Sequence, residues 1–573
     1  MEGLEVTVLL GLAVLAGTML APRLRLATPL LLLIFGLLLG LFPDLRGVEL
    51  PPEVVLMLFL PVMLFWESIT TSLRSIRRSL RYIVPMSTLL VVASAFAVAG
   101  VATMMGLPWE AALILGAAVA PPDATAVAAL GRLLPQRTFM KLKAESLTND
   151  GTALVVYAIA VSLAVGGNVT PWTITWTVLV SYVGGAAAGI AVAALAYLLL
   201  RRVRSSLSIN IALLLVPFTA YLAAELMHAS GVLAVVFAGL IVAWVSPRIT
   251  TARSRRQAVA AWPFGVYLLN GALFVLIGIE VEHVIFEISP REIGWLTLMT
   301  IAVWVSLLLV RYLFQLLFAP FTRPSAAAGV HGSPHRARVV STIAGFRGAV
   351  SLAIALSVPL TTDTGEPLAG RDAIVFVTAG VIVLSLLVQG PLLPMVVRWA
   401  RLPADDAAID ELELAQRAVS GAALAALDDL AAEHGISDEV RDRARREGFE
   451  MLELANARAF ARQRALDDAE VAELESMLEA PAAASLSVPS AVQGEGLEML
   501  AVSTDIDLTQ RSPITRFEEA ARLKLALIER KREVLLRLRR EGTIDDLVVR
   551  RVEAHLDLEE VRLSGVGGGD DFD

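Results

Sequence analysis

The chain has 573 residues, is 56% hydrophobic, contains no cysteine and carries a formal net charge of −8. Its mean hydropathy is +0.68. Soluble domains run about 45–50% apolar even with glycine counted, so an ordinary soluble protein is excluded. The missing cysteines exclude disulfide, thiolate and Cys–metal chemistry.

The charge is divided along the chain. Residues 403–573 hold 21 Lys+Arg and 38 Asp+Glu, which leaves 27 basic and 18 acidic residues in 1–402. The pattern predicts a basic membrane body, 1–402, followed by an acidic soluble tail, 403–573. Crossing about 30 Å of hydrocarbon takes about 20 apolar residues. Thirteen runs qualify, near 4–22, 27–42, 53–72, 83–105, 109–130, 144–165, 172–200, 207–227, 231–246, 262–280, 294–318, 339–360 and 373–399. The second and ninth are short. The first lacks a basic n-region and an Ala-x-Ala site, so it reads as a retained span and not a removed signal.

Loop charges support this count. Odd-numbered connections carry 20 Arg and Lys, from Arg23 and Arg25 to Arg336 and Arg338; even-numbered ones carry only Arg46, Arg291 and Arg371. Basic loops stay in the cytoplasm. The expectation is a multi-pass protein of the cell membrane, with its N-terminus outside and its tail in the cytoplasm.

Few charged residues lie within these spans, and a charge in hydrocarbon is rarely kept without a task. In the fifth span Pro121 and Pro122 break the helix directly before Asp123. Broken backbone at membrane depth is tolerated where it is buried in protein or lines a cavity. At the start of the sixth span stand Glu145-Ser146-Leu147-Thr148-Asn149-Asp150. Glu145 and Asn149 are four residues apart on one helix face, and Ser146 and Asp150 pair likewise on the next. Asp150 with a hydroxyl beside it offers hard oxygen ligands suited to a small alkali cation. The plainer reading makes Asp150 an N-terminal dipole partner of the sixth span; that leaves Asn149 and Glu145 unexplained.

A buried Glu145 needs a cation or a proton. Arg347, in Gly345-Phe346-Arg347-Gly348, is the candidate partner, and the glycines there suggest a second interrupted helix. Its position late in the body mirrors the Pro121-Pro122 break, as in inverted-repeat transporters with crossing half-helices. Glu67, Arg311 and Thr125 are candidates for pathway or support. Of the six histidines none clusters for a metal.

The tail reads as helix over 405–480, linker near 481–514 and helix over 515–563, ending in a disordered-looking stretch from Gly565. Arg530 to Arg540 forms a basic face, read as solvated or, alternatively, as a contact for anionic lipid. No motif identifies a ligand that the tail would sense.

The runs Glu145-Ser-Leu-Thr-Asn-Asp-Gly-Thr-Ala153 and Gly345-Phe-Arg-Gly-Ala-Val-Ser-Leu-Ala353 resemble the signatures of monovalent cation/proton antiporters of the NhaP/NHE type. Leu60-Pro61 through Glu67-Ser68, Glu225 to Val235 and Phe274 to Gly278 add to the likeness. It covers about residues 1–400. The resemblance implies an all-α polytopic membrane protein of the NhaA-like fold, with about thirteen transmembrane helices, inverted repeats, two crossing discontinuous helices and a helical cytoplasmic tail. It implies a homodimer, in which the tail regulates or dimerises. By the match, Asp150 binds Na⁺ or protons, Asp123 and Ser146 complete the ion site, Glu145 and Arg347 form a structural ion pair, and Arg311 matches a second family arginine. Asn149 fills the position of a second Asp in electrogenic relatives. Where relatives often carry Thr-Asp-Pro, this chain has Pro122-Asp123-Ala124, which loses a hydroxyl and leaves the Pro122 carbonyl to face a cation.

With Asn at 149 and Glu145 paired, only Asp150 changes protonation, so one cation, Na⁺ before Li⁺ or K⁺, should exchange for one proton without net charge movement. Alternatives are a Na⁺-coupled solute symporter of related broken-helix fold, a K⁺-selective proton antiporter, and a channel or sensor. No Walker loop, dinucleotide fingerprint or catalytic triad is present; an enzyme, a cofactor and a nucleic-acid partner are not expected.

Overall fold

The computed structural model describes residues 2–24, 27–42, 52–123, 134–167, 170–287, 289–318, 334–362, 365–402, 406–478 and 513–564. Two compact units result, Met1–Asp406 and Ala407–Asp573. The first is an all-helical, polytopic membrane unit. In chain order its helices are α1 (Glu2–Leu24), α2 (Thr28–Gly40), α3 (Pro52–Ile69), α4 (Leu73–Ser87), α5 (Leu89–Met104), α6 (Trp109–Val119) and α7 (Gln136–Val165). Then follow α8 (Pro171–Leu200), α9 (Ser206–Glu225), α10 (Gly231–Ile249), α11 (Ala252–Glu287) and α12 (Pro290–Leu317). The short helices α13 (Pro334–Ile343) and α14 (Ala349–Leu356) precede α15 (Arg371–Ala400). Among the described residues nine helices are long and apolar enough to cross a membrane, α4 and α5 counting as one, and three shorter apolar ones accompany them.

Several expected boundaries shift because a helix does not end where its hydropathy does. The fourth span starts at Leu73, not near 83, because Ser72 caps it, accepting from the Ser75 N–H at 3.0 Å. The sixth starts at Gln136, not near 144, so Glu145 to Asp150 lie mid-helix in a 30-residue element. That removes the N-terminal dipole reading of Asp150, since such effects fade within the first turn.

Small residues set the helix crossings. A Cβ on Gly36 would come within 2.7 Å of the Gly278 Cα, and one on Gly278 within 2.7 Å of the Leu37 N. So α2 and α11 approach backbone to backbone, the way membrane helices gain contact when lipid supplies no hydrophobic drive. Gly116 brings α6 equally close to Ala95 of α5. These crossings hold the interrupted helices in place.

The second unit comprises α16 (Asp406–Ala425), α17 (Leu427–Glu433), α18 (Asp438–Leu478), α19 (Pro513–Glu541) and α20 (Asp546–Ser564). The single helical stretch expected over 405–480 is thus three helices, the last break falling at Gly435 with φ +64°. The basic face of α19 is solvated in part, with Arg530, Arg537 and Arg540 exposed, and in part paired within the unit. Arg532 pairs with Asp557 (2.6 Å) and with Glu560, Lys531 with Glu559 (3.8 Å), and Arg539 with Asp546 (2.7 Å), all on α20. The expected linker, apart from its last two residues, and the stretch from Gly565 lie outside the described residues.

The glycine crossing carries a prediction. Gly278→Val should cost about 1–3 kcal/mol by overpacking, seen as a lower melting temperature of the purified protein in detergent. An unchanged melting temperature would mean that α2 and α11 do not meet there.

Candidate functional site

The end of α6 and the break between α13 and α14 meet in the membrane unit. α6 stops at Val119 because Pro121 and Pro122 cannot donate to the preceding turn. The second break separates α13 from α14 over residues 344–348, where Gly345 and Gly348 lower helical preference. The breaks are bonded to each other: the Asp123 N–H donates to the Phe346 carbonyl at 2.8 Å.

Arg347 closes the junction. Its Nε donates to the Val119 carbonyl (2.7 Å), Nη2 to Ala120 (3.4 Å) and Nη1 to Gly345 (2.5 Å). The first two are end carbonyls of α6, and the third lies just past the end of α13. Both helices end with carbonyls that have no intrahelical partner, and a guanidinium is the side chain with enough donors to serve both.

This corrects the expected ion pair. Glu145 pairs with Arg311, not Arg347: Arg311 Nη1 donates to Glu145 Oε1 (2.5 Å) and Nη2 to Oε2 (3.1 Å). Both side chains are buried, at 2% and 1% exposure. The physical reason is competition. Arg347 sits in the break and is drawn to broken backbone, whereas Arg311 projects from the intact α12 toward α7 and can meet a carboxylate fork-on-fork. Arg311 Nε also donates to the Ser341 carbonyl at 3.0 Å, and Gln315 Nε2 to the Ser341 hydroxyl at 3.0 Å. Tyr82 shares a hydrogen bond with the same hydroxyl. Tyr82, Gln315 and Ser341 were not foreseen from sequence. Gln315, one helical turn after Arg311, was the signal available.

Asp150 lies buried on α7, with Ser146 buried one turn before it. Its carboxylate is within electrostatic reach of Asp123 and Glu67, and Glu67 in turn of Asp123 and Lys143. Lys143 Nζ donates to the Thr70 hydroxyl at 2.6 Å. The structure thus brings Asp150, Asp123 and Glu67 into one electrostatic neighbourhood. Thr125 lies outside the described residues.

Asn149 is fully buried, and its Nδ2 donates to the Pro122 carbonyl at 2.8 Å. Only the NH₂ end can donate to a carbonyl, so the amide orientation is set. Oδ1 is buried and has no hydrogen-bond partner among the described residues. The Pro122 carbonyl, expected to face a cation, is engaged by this bond and keeps one lone pair. Among the described residues no three His, Asp or Glu side chains converge to hold a metal ion. A cation here would rest on one or two carboxylates and neutral oxygens, a donor set suited to a weakly held monovalent ion and not to a tightly caged divalent one.

Residues 10–399 match the family described as sodium/hydrogen exchanger, transmembrane. The chain belongs to the sodium/hydrogen exchanger family. It is a monovalent cation/proton antiporter and not an enzyme. An uncharacterized Na(+)/H(+) exchanger of Mycobacterium tuberculosis is 38% identical over 98% of this chain and 96% of its own length. A sodium, potassium, lithium and rubidium/H(+) antiporter of Bacillus subtilis is 30% identical over 64% of this chain and 57% of its own. The sodium proton antiporter MjNhaP1 of Methanocaldococcus jannaschii has the same fold: TM-score 0.53 and 18% identity, over 70% of this chain and 99% of that one.

The ion-pair geometry yields a test. Arg311→Met alone leaves a buried carboxylate uncompensated and should cost about 3–5 kcal/mol. Adding Glu145→Leu should recover most of it in thermal melts, whereas Arg347→Met combined with Glu145→Leu should show no such recovery. Coupling of Glu145 to Arg347 instead would restore the pairing expected from sequence.

Proposed function

We propose that this antiporter exchanges one monovalent cation, Na⁺ foremost, for one proton at Asp150, without net charge movement. The observation that carries the reading is the burial of Asp150 beside two side chains that cannot exchange charge, Glu145 and Asn149. Glu145 is held by two hydrogen bonds to Arg311, and Asn149 cannot ionise. Asp123 and Glu67 remain acids within electrostatic reach of Asp150 and add attraction for a cation. A proton and a cation then compete for Asp150, whose carboxylate has these acids nearby and no fixed ion pair among the described residues. Ser146, one turn before Asp150, supplies a neutral oxygen, with Asp123 adding attraction.

Competition makes the coupling. The loaded carboxylate, with either cargo, is neutral and can pass between access states, while the empty one is charged and held back by the cost of burying it. The proton gradient then drives the cation outward by alternating access. Thirteen spans are the architecture proposed here; nine long helices, three short apolar ones and the broken α13–α14 pair among the described residues support it. The α6 and α13–α14 breaks are corresponding parts of two inverted repeats. The protein works as a homodimer in the plasma membrane, N-terminus outside, with the helical unit in the cytoplasm as a regulatory element.

K⁺ is the second reading for the cargo, favoured by the relative in Bacillus subtilis, whose name includes potassium. Acid-loaded inside-out vesicles decide between them. Wild type should alkalinise the lumen on addition of Na⁺, less so with K⁺, and clamping the membrane potential should leave the rate unchanged. Asp150→Asn should fall to the level of empty vesicles while still purifying as a folded protein. Lowering the pH on the cation side should raise the KM for the cation, since protons then occupy Asp150. Voltage-dependent exchange would defeat the one-for-one stoichiometry, and exchange by Asp150→Asn the assignment of the carrier.

A further inference from the structure

Gly348 stands between Arg347 and the first residue of α14. Its backbone is extended, φ −129° and ψ −164°, a conformation open to any residue. Conformational freedom is therefore not why glycine is here. Space is the reason. A Cβ built at 348 would collide with Asp123: the three nearest atoms are its Oδ2, Cγ and Cβ, and even the farthest would lie at 2.8 Å. Real Cβ contacts need well over 3 Å, so any side chain at this position must push the carboxylate aside.

We infer that Gly348 is a positioning residue for exchange: its missing side chain is the seat that fixes Asp123 relative to Asp150. The inference rests on the assignment of the ion site to these two acids. The seat is rigid on both sides. Asp123 is tied through its N–H to Phe346 O, two residues before Gly348. Arg347, between them, is bonded to carbonyls of Val119, Ala120 and Gly345, and its N–H to the Ser385 hydroxyl at 3.4 Å. Gly348 cannot back away without breaking that set, so the carboxylate moves instead. Asp123 contributes attraction to a cation that Asp150 binds, and attraction falls with distance. A displaced Asp123 weakens cation binding while leaving Asp150 able to carry its proton.

The test pairs transport with a stability cycle on the full-length protein. Gly348→Ala should raise the KM for Na⁺ about tenfold with Vmax nearly unchanged, the mark of lost binding and not of lost turnover. It should also lower the melting temperature in detergent. In an Asp123→Ala background the collision is gone, so the same substitution should leave the melting temperature where Asp123→Ala alone puts it. An unchanged KM for Gly348→Ala overturns the inference, as does an equal loss of melting temperature in both backgrounds. If Gly348→Ala alone does not fold, recovery of folding in the double variant supports the seat, and failure to recover overturns it. The melting cycle needs no transport, so a failed antiport assignment would be recognised separately, by wild type that moves no protons with any cation.

Discussion

A helix interrupted inside hydrocarbon leaves carbonyls and N–H groups that lipid cannot satisfy, and here two interruptions satisfy each other. Arg347 reaches carbonyls at the ends of both α6 and α13, and the Asp123 N–H is spent on the Phe346 carbonyl. Remove that exchange and each break becomes a set of orphaned dipoles at membrane depth. One guanidinium and one backbone bond close the junction, so the acids around it are not spent on closing it. Asp123 is held at the front of α14, and Asp150 on the unbroken α7 faces the neighbourhood so created.

Ionisable groups around the junction fall into two kinds. Arg311 with Glu145, and Arg347 with its carbonyls, have every strong interaction consumed within the protein, and a buried charge so paired is costly to disturb. Asp150 is different: its near neighbours are acids and neutral oxygens, so it gains from any cation or proton that arrives. Separation of fixed from exchangeable charge lets a site bind without binding irreversibly. Asn149 belongs to the fixed kind through its bond to Pro122, although its oxygen meets no donor among the described residues.

Much of this was legible in the sequence. Pro121-Pro122-Asp123 cannot be an intact helix, and the second break was signalled by the glycines around Arg347. The cluster Glu145 to Asp150 stands out as a candidate site through the sheer cost of such residues in an apolar run. What sequence could not decide was pairing. Two arginines, 311 and 347, could both have met Glu145, and nothing in the linear chain ranks them; the choice depends on which one the broken backbone claims. Helix starts were misplaced at Leu73 and Gln136 because hydropathy ends where charge begins, while the backbone continues to hydrogen bond past that point. Gly348 was quoted as part of a motif, yet its role is steric and appears only once Asp123 is placed against it in three dimensions.

The same limit holds in the second unit, where the arginine and lysine run of α19 looked like a surface for water or lipid. Its acids lie on α20, about 20 or more residues away in most cases, and only folding joins them. Fixed ion pairs there, as in the membrane unit, consume charge that composition alone leaves unassigned.

The central claim, that one carboxylate exchanges a cation for a proton, is tested most directly by proton release on cation binding. Purified protein in weakly buffered detergent solution would receive Na⁺ while the pH is followed. The account expects release of about one proton per chain at a pH where Asp150 is protonated, and none from Asp150→Asn. Undiminished release from that variant, or release near two protons per chain from wild type, would contradict it.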